Sequence, residues 1–181
     1  MPNFDLLLRN CNLINENSIS QVDIAIKDKR IEKISTTISE NANKEIDVKG
    51  KNVAPGVIDD QVHFREPGLT RKGEIKTESL AALYGGITST MDMPNVSPAS
   101  TTLDLLEERF QLAQEKSWTN YSFYLGATPD NIDEIKQANP KDICGLKIFM
   151  GSSTGDLLVN DDDALDLIFK ESPVLIVTHC E

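Results

Sequence analysis

From residue 55 onward, the chain alternates between short apolar runs that favour strands and longer runs that favour helices. The predicted strands begin near residues 57, 87, 121, 143 and 174. Their spacing of roughly 30 residues is the length of one strand–helix unit. Runs such as VLIVT (174–178) are apolar throughout, as in strands buried on both faces of a parallel sheet. The pattern predicts an α/β fold with a helix-covered parallel sheet, either a TIM-type barrel or an open doubly wound sheet.

The first 54 residues follow a different pattern. Apolar and polar residues alternate in the short runs FDLLLRN, ISQVDIAIKD, RIEKIS and KEIDVKG. The KDKR segment at 27–30 is typical of a hairpin turn between strands at 22–26 and 31–34. We therefore predict a small antiparallel β unit over residues 1–54, too thin to hold a large core alone, and an α/β domain over residues 55–181.

Composition excludes several classes of function. The 181 residues carry a net charge of −11, and no basic patch is present to neutralise nucleic-acid phosphates. No apolar run approaches the roughly 18 residues of a membrane span, and the N-terminus does not resemble a signal peptide. The cysteines Cys11, Cys144 and Cys180 lack CxxC spacing and indicate reduced thiols. These features predict a cytoplasmic protein that binds neither nucleic acid nor membrane.

The chain has only two histidines, and each closes a predicted strand. His63 ends GVIDDQVH, and His179 ends VLIVTH. The carboxyl ends of the strands form the edge at which α/β barrels place their active sites. A single histidine here would more often be structural. Because both histidines of the chain fall at the same edge, a functional site is favoured.

Polar residues recur at every second position of the first strand, at Asp59, Gln61, His63 and Arg65. The two-residue period of a strand predicts that these side chains project from one side. Val62 and Phe64 would then pack outward against helices. Polar side chains inside a barrel need partners, and a metal ion is one way to supply them.

Lys147 lies inside an apolar strand, in CGLKIFMG. A buried ammonium group is costly, so this lysine must be ion-paired, deprotonated or chemically modified. A neutral lysine amine can take up carbon dioxide and become a carbamate, whose two oxygens can bridge two metal ions. The simpler alternative is an ion pair with a neighbouring carboxylate.

Two further polar residues follow predicted strands at the same edge. Arg65 can bind a carboxylate through paired hydrogen bonds. Asn95, in MDMPNVSP, is either a functional residue or a loop-forming asparagine after Pro94. The GSSTG segment at 151–155 is a candidate lid or anion-binding loop, although it lacks the lysine spacing of a P-loop.

Four segments, in this order, closely resemble the dihydroorotases of the amidohydrolase superfamily: APGVIDDQVHFREPG, GGITSTMDMPN, GLKIFMGSSTG and VLIVTHCE. Allantoinases and hydantoinases are near relatives of these enzymes. The resemblance implies a (β/α)8 TIM-type barrel, of which this chain holds strands one to five, with a small N-terminal β-sandwich unit beside it. Five strands cannot close an eight-stranded barrel, so we expect a fragment of a longer protein.

The same resemblance implies one or two zinc ions per full-length chain. His63 falls on a first-strand ligand, Lys147 on the bridging lysine carbamylated by carbon dioxide, and His179 on the fifth-strand ligand. Arg65 and Asn95 fall on the residues that hold the substrate carboxylate. The family's sixth-strand histidine and proton-shuttling aspartate have no counterpart before Glu181, so the 181 residues alone should be inactive.

Gln61 departs from the family, which has a metal-binding histidine at this position. Zinc prefers imidazole, thiolate and carboxylate, and an amide oxygen is a poorer ligand. The glutamine should weaken one of two metal positions, whereas Lys147 and His179 define the other without it. Whether Gln61 binds metal stays open, and Asp59 would compensate if the end of the strand bends.

The implied activity is hydrolysis of a cyclic amide C–N bond. HFREPG together with MPN favours a small substrate that bears a carboxylate. We therefore predict a dihydroorotase, which interconverts carbamoyl-aspartate and dihydroorotate in pyrimidine biosynthesis. A homodimer and a complex with aspartate transcarbamoylase are the candidate assemblies.

Other functions stay open beside this prediction. One is a hydantoinase- or allantoinase-type cyclic amidase, and another is a non-catalytic, dihydroorotase-like scaffold for aspartate transcarbamoylase. A third is an α/β binding module with a doubly wound sheet. This last alternative is disfavoured, because the first strand–helix turn, HFREPGLTRKGEI, lacks a G-x-G-x-x-G loop.

Overall fold

The computed structural model describes residues 3–152 and 156–180. The chain divides into two compact units, Met1–Pro55 and Gly56–Glu181, called here the N-terminal and C-terminal units. Most of the predicted GSSTG loop, residues 153–155, lies outside the described residues. Within the described ranges, no helix combines the length and apolar character needed to cross a bilayer.

The strands of the N-terminal unit are β1 (Phe4–Asn15), β2 (Ser18–Lys27), β3 (Arg30–Ser35), β4 (Ala42–Asp47) and β5 (Asn52–Val53). They form one sheet in the order β3-β2-β1-β4, with β5 also beside β1. The predicted hairpin at KDKR is confirmed, since β2 and β3 pair antiparallel with Lys27 opposite Arg30. Asp28 and Lys29 have φ of +49° and +64°, and positive φ at both central residues gives the turn twist that suits a hairpin.

The expectation that the first 54 residues form an antiparallel unit is wrong in part for the described residues. β4 and β5 both pair parallel with β1, and all strands belong to one mixed sheet. The connection from β3 to β4 runs from one edge of the sheet to the other and buries Ile38, whose N–H donates to Asp23. Alternating hydrophobicity identifies the buried face of a strand but not the direction of its neighbour, so the sequence pattern could not reveal this pairing.

The C-terminal unit alternates strands and helices as predicted. Its strands are β6 (Val57–Val62), β7 (Ile87–Asp92), β8 (Asn120–Gly126), β9 (Gly145–Phe149) and β10 (Ile176–His179). Its helices are α1 (Ile75–Tyr84), α2 (Leu103–Lys116), α3 (Ile132–Gln137) and α4 (Asp162–Glu171). The strands are parallel and ordered β10-β9-β8-β7-β6. This order never reverses, so the described sheet lacks the switch point of a doubly wound fold.

The apolar core of the C-terminal unit contains side chains from both the sheet and the helices. Helix α2 contributes Leu106 and Ala113, as its 3.6-residue period predicts. The helix is capped by Thr102, whose hydroxyl accepts from the N–H of Leu105 at 3.3 Å.

Candidate functional site

His63 and Asn95 meet at the carboxyl edge of the parallel sheet. His63 directly follows β6, and Asn95 lies in the loop after β7. The Nδ1 atom of His63 is 2.9 Å from the Oδ1 atom of Asn95. An amide oxygen only accepts hydrogen bonds, so this orientation puts the proton on Nδ1 and the lone pair on Nε2. Nε2 is then available to bind a metal ion.

The surroundings of His63 disfavour its charged form. Burial lowers the pKa of His63 most, the positive charges of Arg65 and Lys147 lower it further, and only the hydrogen bond to Asn95 opposes this change. A neutral imidazole is the form that binds metal ions.

Lys147 is 2% exposed and lies in the middle of β9. Its neighbours Leu146 and Ile148 belong to the apolar core on the opposite face of the strand. The Nζ atom of Lys147 is 5.1 Å from the ring centroid of Phe149. No carboxylate of the described residues lies within 4.0 Å of this amine, and burial lowers the pKa of Lys147. The alternative of an ion-paired lysine therefore finds no partner in this part of the chain.

His179 lies on the same face of the sheet as Lys147. In the parallel pair of β9 and β10, Lys147 is opposite Val177, and Phe149 is opposite His179. Residues opposite each other share a face, and so do residues two apart on one strand. The rings of Phe149 and His179 are 5.8 Å apart between centroids, so Phe149 adjoins both candidate ligands.

The prediction that Asp59 projects with His63 is wrong, because β6 contains a register shift. Asp59 is opposite Thr90, but Val62 is opposite Asp92, so three steps on β6 match two on β7. Asp59 therefore shares a face with Val62, away from His63. The Oδ1 atom of Asp59 accepts from the N–H of Gln61 at 3.1 Å.

Gln61 is exposed at this irregular part of β6. Its side chain makes no hydrogen bond to any residue described in the structure. With Asp59 turned to the other face, the predicted compensation by that carboxylate is unsupported. A metal-binding role for Gln61 stays a prediction.

Arg65 is half-buried and adopts a left-handed backbone conformation, with φ of +66°. This conformation costs a non-glycine residue about 1–2 kcal/mol, so the surrounding structure must hold it. The carbonyl of Arg65 accepts from the N–H of Leu69 at 3.0 Å. In the described ranges, no carboxylate lies within 4.0 Å of its guanidinium group.

The sequence patterns missed two charge networks, each of which contains a buried carboxylate. Glu66 accepts hydrogen bonds from the N–H of Ile75 at 2.9 Å and from the Nζ atom of Lys116. Asp92 pairs with Arg109, at 3% and 1% side-chain exposure. A signal for the second network existed, because Arg109 occupies a position on the apolar face of α2 three residues after Leu106.

No three His, Cys, Asp or Glu side chains lie together at metal-binding spacing anywhere in residues 3–152 and 156–180. Because these four residue types form no such cluster there, a metal ion beside His63 and His179 would need Lys147 as a further ligand. The donor chemistry nevertheless fits a metal ion. His63 has a lowered pKa and an available Nε2, and Lys147 is a buried amine with a lowered pKa on the same face as His179.

Residues 50–139 match the family model described as Dihydro-orotase-like. The chain is 34% identical to the L-hydantoinase of Paenarthrobacter aurescens over 98% of its own length and 40% of that protein. It is 33% identical to the allantoinase of Desulfitobacterium hafniense (strain Y51), over 100% of this chain and 41% of the relative. It is also 33% identical to the dihydroorotase of Methanothermobacter thermautotrophicus, over 98% of this chain and 39% of the relative.

The fold is likewise similar to solved hydantoinase structures. The L-hydantoinase (dihydropyrimidinase) from Arthrobacter aurescens superposes with a TM-score of 0.90 and 33% identity, over 97% of this chain and 40% of that one. The chain spans about 40% of the length of the relatives it matches. Its mixed α/β fold, with a parallel half-barrel sheet, matches the N-terminal region of the hydantoinase. Together, these matches show that the chain is similar to the hydantoinases, the allantoinases and the dihydroorotases.

Proposed function

We propose that the full-length protein is a metal-dependent cyclic amide hydrolase, with dihydroorotase as the favoured activity. The observation that carries this proposal is Lys147, a buried amine without a carboxylate partner in the described ranges, on the same face of the sheet as His179. We further propose that the five parallel strands are the first five of a (β/α)8 barrel. The TM-score of 0.90 to the L-hydantoinase supports this architecture.

His63, Lys147 and His179 would hold zinc in this proposal. The neutral amine of Lys147 would bond to the carbon of carbon dioxide and release a proton to solvent, which leaves a carbamate anion as a ligand. The lowered pKa of Lys147 favours the neutral amine that this reaction requires. When bound, zinc would polarise the amide carbonyl and activate the attacking water.

Arg65 and Asn95 would bind and orient the substrate. The half-buried guanidinium of Arg65 can hold a carboxylate through paired hydrogen bonds. The side-chain N–H groups of Asn95 stay available as donors while its oxygen accepts from His63. Dihydroorotate carries a carboxylate and hydantoin does not, so Arg65 is the residue that favours dihydroorotate and a role in pyrimidine biosynthesis.

A hydantoinase- or allantoinase-type activity is the second candidate. It is favoured by the similarity of this chain to the L-hydantoinase, at 34% identity, and to the allantoinase, at 33%. The dihydroorotase is 33% identical to this chain, so identity alone does not separate the three activities. A non-catalytic scaffold for aspartate transcarbamoylase would not require a desolvated lysine. Sedimentation of the full-length protein, with and without aspartate transcarbamoylase, would test that assembly and the predicted homodimer.

The test is hydrolysis of dihydroorotate, hydantoin and allantoin by the zinc-loaded, full-length protein. Lys147→Ala should abolish the activity, because it removes a side chain that would hold zinc. Lys170→Ala is the matched control, since that lysine is 79% exposed and should tolerate the change. A folded, zinc-loaded wild-type protein that opens none of the three rings would overturn the proposal.

Two variants refine the substrate and the metal site. Arg65→Met should raise the KM for dihydroorotate roughly tenfold or more while leaving the KM for hydantoin unchanged, because only dihydroorotate has a carboxylate to lose. Equal effects on both substrates would contradict a carboxylate-binding role. Gln61→His should increase the zinc bound per chain if the glutamine weakens one metal position. An unchanged zinc content would mean that position 61 does not contribute.

A further inference from the structure

Asp92 and Arg109 form a buried ion pair that the proposed chemistry does not use. The Nη2 atom of Arg109 donates to the Oδ2 atom of Asp92 at 2.5 Å, and both side chains are almost inaccessible. The guanidinium also lies over the ring of Phe123, with 4.2 Å between its central carbon and the ring centroid. Burying two charges seldom adds stability over an apolar pair of similar volume, so this arrangement calls for another explanation.

The carboxylate of Asp92 holds the segment that carries His63 and Arg65. Its Oδ1 atom accepts from the N–H of Phe64 at 3.2 Å. Phe64 lies between the two site residues and is itself buried. The backbone that directs His63 and Arg65 is therefore anchored to Asp92 at its midpoint.

The guanidinium of Arg109 holds the loop that carries Asn95. Its Nη1 atom donates to the carbonyl of Met93 at 3.1 Å and to the hydroxyl of Ser100 at 3.2 Å. Met93 and Ser100 lie on either side of Asn95 in the chain. One side chain thus connects both ends of the loop that positions Asn95.

We propose that the Asp92–Arg109 pair is a positioning unit for the site. It fixes the position of the segment after β6 relative to the loop after β7. This position allows the 2.9 Å contact between His63 and Asn95. In the described structure, every side-chain hydrogen bond from the pair goes to its own partner or to these two segments. Among the described residues, the pair makes no side-chain hydrogen bond to any of the three proposed metal ligands, so it acts through the backbone. The kinetic and zinc-affinity tests of this inference rest on the proposed function, whereas a measurement of the His63 tautomer does not.

The main experiment compares two double variants of the full-length protein. Asp92→Asn/Arg109→Met removes both charges without leaving one of them buried alone, so it should fold. Asp23→Asn/Arg9→Met is the matched control, since it removes an aspartate–arginine pair of 3.0 Å from the N-terminal unit. The measurements are kcat/KM for the best cyclic amide and zinc affinity by competition with a chromogenic chelator.

We expect the Asp92/Arg109 variant to lose on the order of 10- to 100-fold in kcat/KM and in zinc affinity, the usual effect of removing a group that orients a ligand. The Asp23/Arg9 control should change neither. A folded Asp92/Arg109 variant with wild-type values for both would overturn the inference. An equal loss in the control would also overturn it, because the effect would then follow general destabilisation.

A milder variant keeps the inference testable if the double variant does not fold. Ser100→Ala removes one contact of Arg109 and leaves the ion pair in place. The loss of one hydrogen bond should lower kcat/KM roughly two- to tenfold, and an unchanged value would contradict the positioning role.

The failure of the positioning inference can be distinguished from the failure of the proposed function. If the wild-type protein hydrolyses no cyclic amide, the proposed function fails, and the side-chain ¹⁵N shifts of His63 still test the pair. The wild type should hold the His63 proton on Nδ1, and the double variant should show a mixture of tautomers. A wild-type tautomer in the double variant would overturn the inference.

Discussion

Each unit of this chain contains an aspartate–arginine pair, and the two pairs differ in depth. In the N-terminal unit, the Arg9 side chain that binds Asp23 is 25% exposed. In the C-terminal unit, the Arg109 side chain that binds Asp92 is only 1% exposed. Both pairs join a carboxylate to a guanidinium, but Arg9 also pairs with Glu45 at 3.0 Å, so the pairs differ in depth and in the number of charge partners.

Burial reverses the direction in which the carboxyl pKa moves. For Asp23, the rise caused by burial is outweighed by the N–H groups of Asn10 and Ile38 and by Arg9, so its pKa is lowered. For Asp92, burial dominates over the attraction of Arg109 and raises the pKa to about 6. The same partner therefore does not ensure the same titration, because desolvation grows with depth.

Both units also contain a glycine in the left-handed backbone conformation. Gly50 has φ of +73°, and no described atom lies within 4 Å of the position that a Cβ would take. Gly68 has φ of +79°, and a Cβ there would collide with the carbonyl oxygen of Ser97. The N–H of Ser97 donates to the carbonyl of Pro67 at 3.1 Å, so Gly68 lies where the Arg65 and Asn95 loops touch.

The largest expected difference between the units comes from removing one arginine. Arg109→Met should cost about 3–5 kcal/mol in the free energy of unfolding, because it leaves a buried carboxylate without its charge partner. Arg9→Met should cost about 1 kcal/mol, because Asp23 keeps two backbone donors and its site is nearer solvent. Urea unfolding of the full-length protein, followed by circular dichroism, measures both. Equal losses would contradict the idea that depth sets the cost.

The glycine comparison should give the next largest difference. Gly68→Ala should cost roughly 2–4 kcal/mol, since it adds a collision with backbone to the penalty of a left-handed alanine. Gly50→Ala should cost only about 1 kcal/mol, because the conformational penalty acts alone. The same unfolding measurement applies. If Gly68→Ala were as stable as Gly50→Ala, the Arg65 and Asn95 loops could move apart without a loss in the free energy of unfolding.

A smaller effect is expected when both charges of the deep pair are removed. Asp92→Asn/Arg109→Met should lie within about 2 kcal/mol of the wild type, and so be more stable than Arg109→Met alone. A double-mutant cycle with Asp92→Asn gives the coupling between the two residues. A double variant as unstable as the single one would mean that the hydrogen bonds, and not the lone charge, carry the cost.

The smallest expected effect is a difference in pH dependence. The pKa of Asp23 is lowered on folding, so its contribution to stability is present above about pH 4 and is lost as the pH falls through the folded-state value. The pKa of Asp92 is raised to about 6, so its contribution is present below about pH 4 and is lost as the pH rises through about 6. Asp92→Asn should therefore flatten a decline in stability between about pH 4 and about pH 6, and Asp23→Asn should flatten a rise at lower pH. Urea unfolding across this range would contradict the comparison if both variants changed in the same direction.

The candidate site could be predicted from the sequence mainly because its residues lie at the ends of strands. The apolar runs that end at His63 and His179, and the lysine inside CGLKIFMG, were each visible as a pattern. The meeting of His63 with Asn95 follows from the parallel order of β6 and β7. Asp59 was placed on the wrong face, because a register shift in a strand leaves no trace in its alternation.

The sequence by itself determined the alternation of strands and helices, the hairpin at KDKR and the edge at which the polar residues collect, because these depend on local periodicity and turn chemistry. Only the tertiary structure decided the parallel pairing of β4 and β5, the face of Asp59, the left-handed backbone of Arg65 and the burial of Asp92 with Arg109. These features depend on residues distant in sequence competing for the same space and the same hydrogen bonds. Local patterns carry no information about that competition, which is settled only when the sheet and its helices pack together.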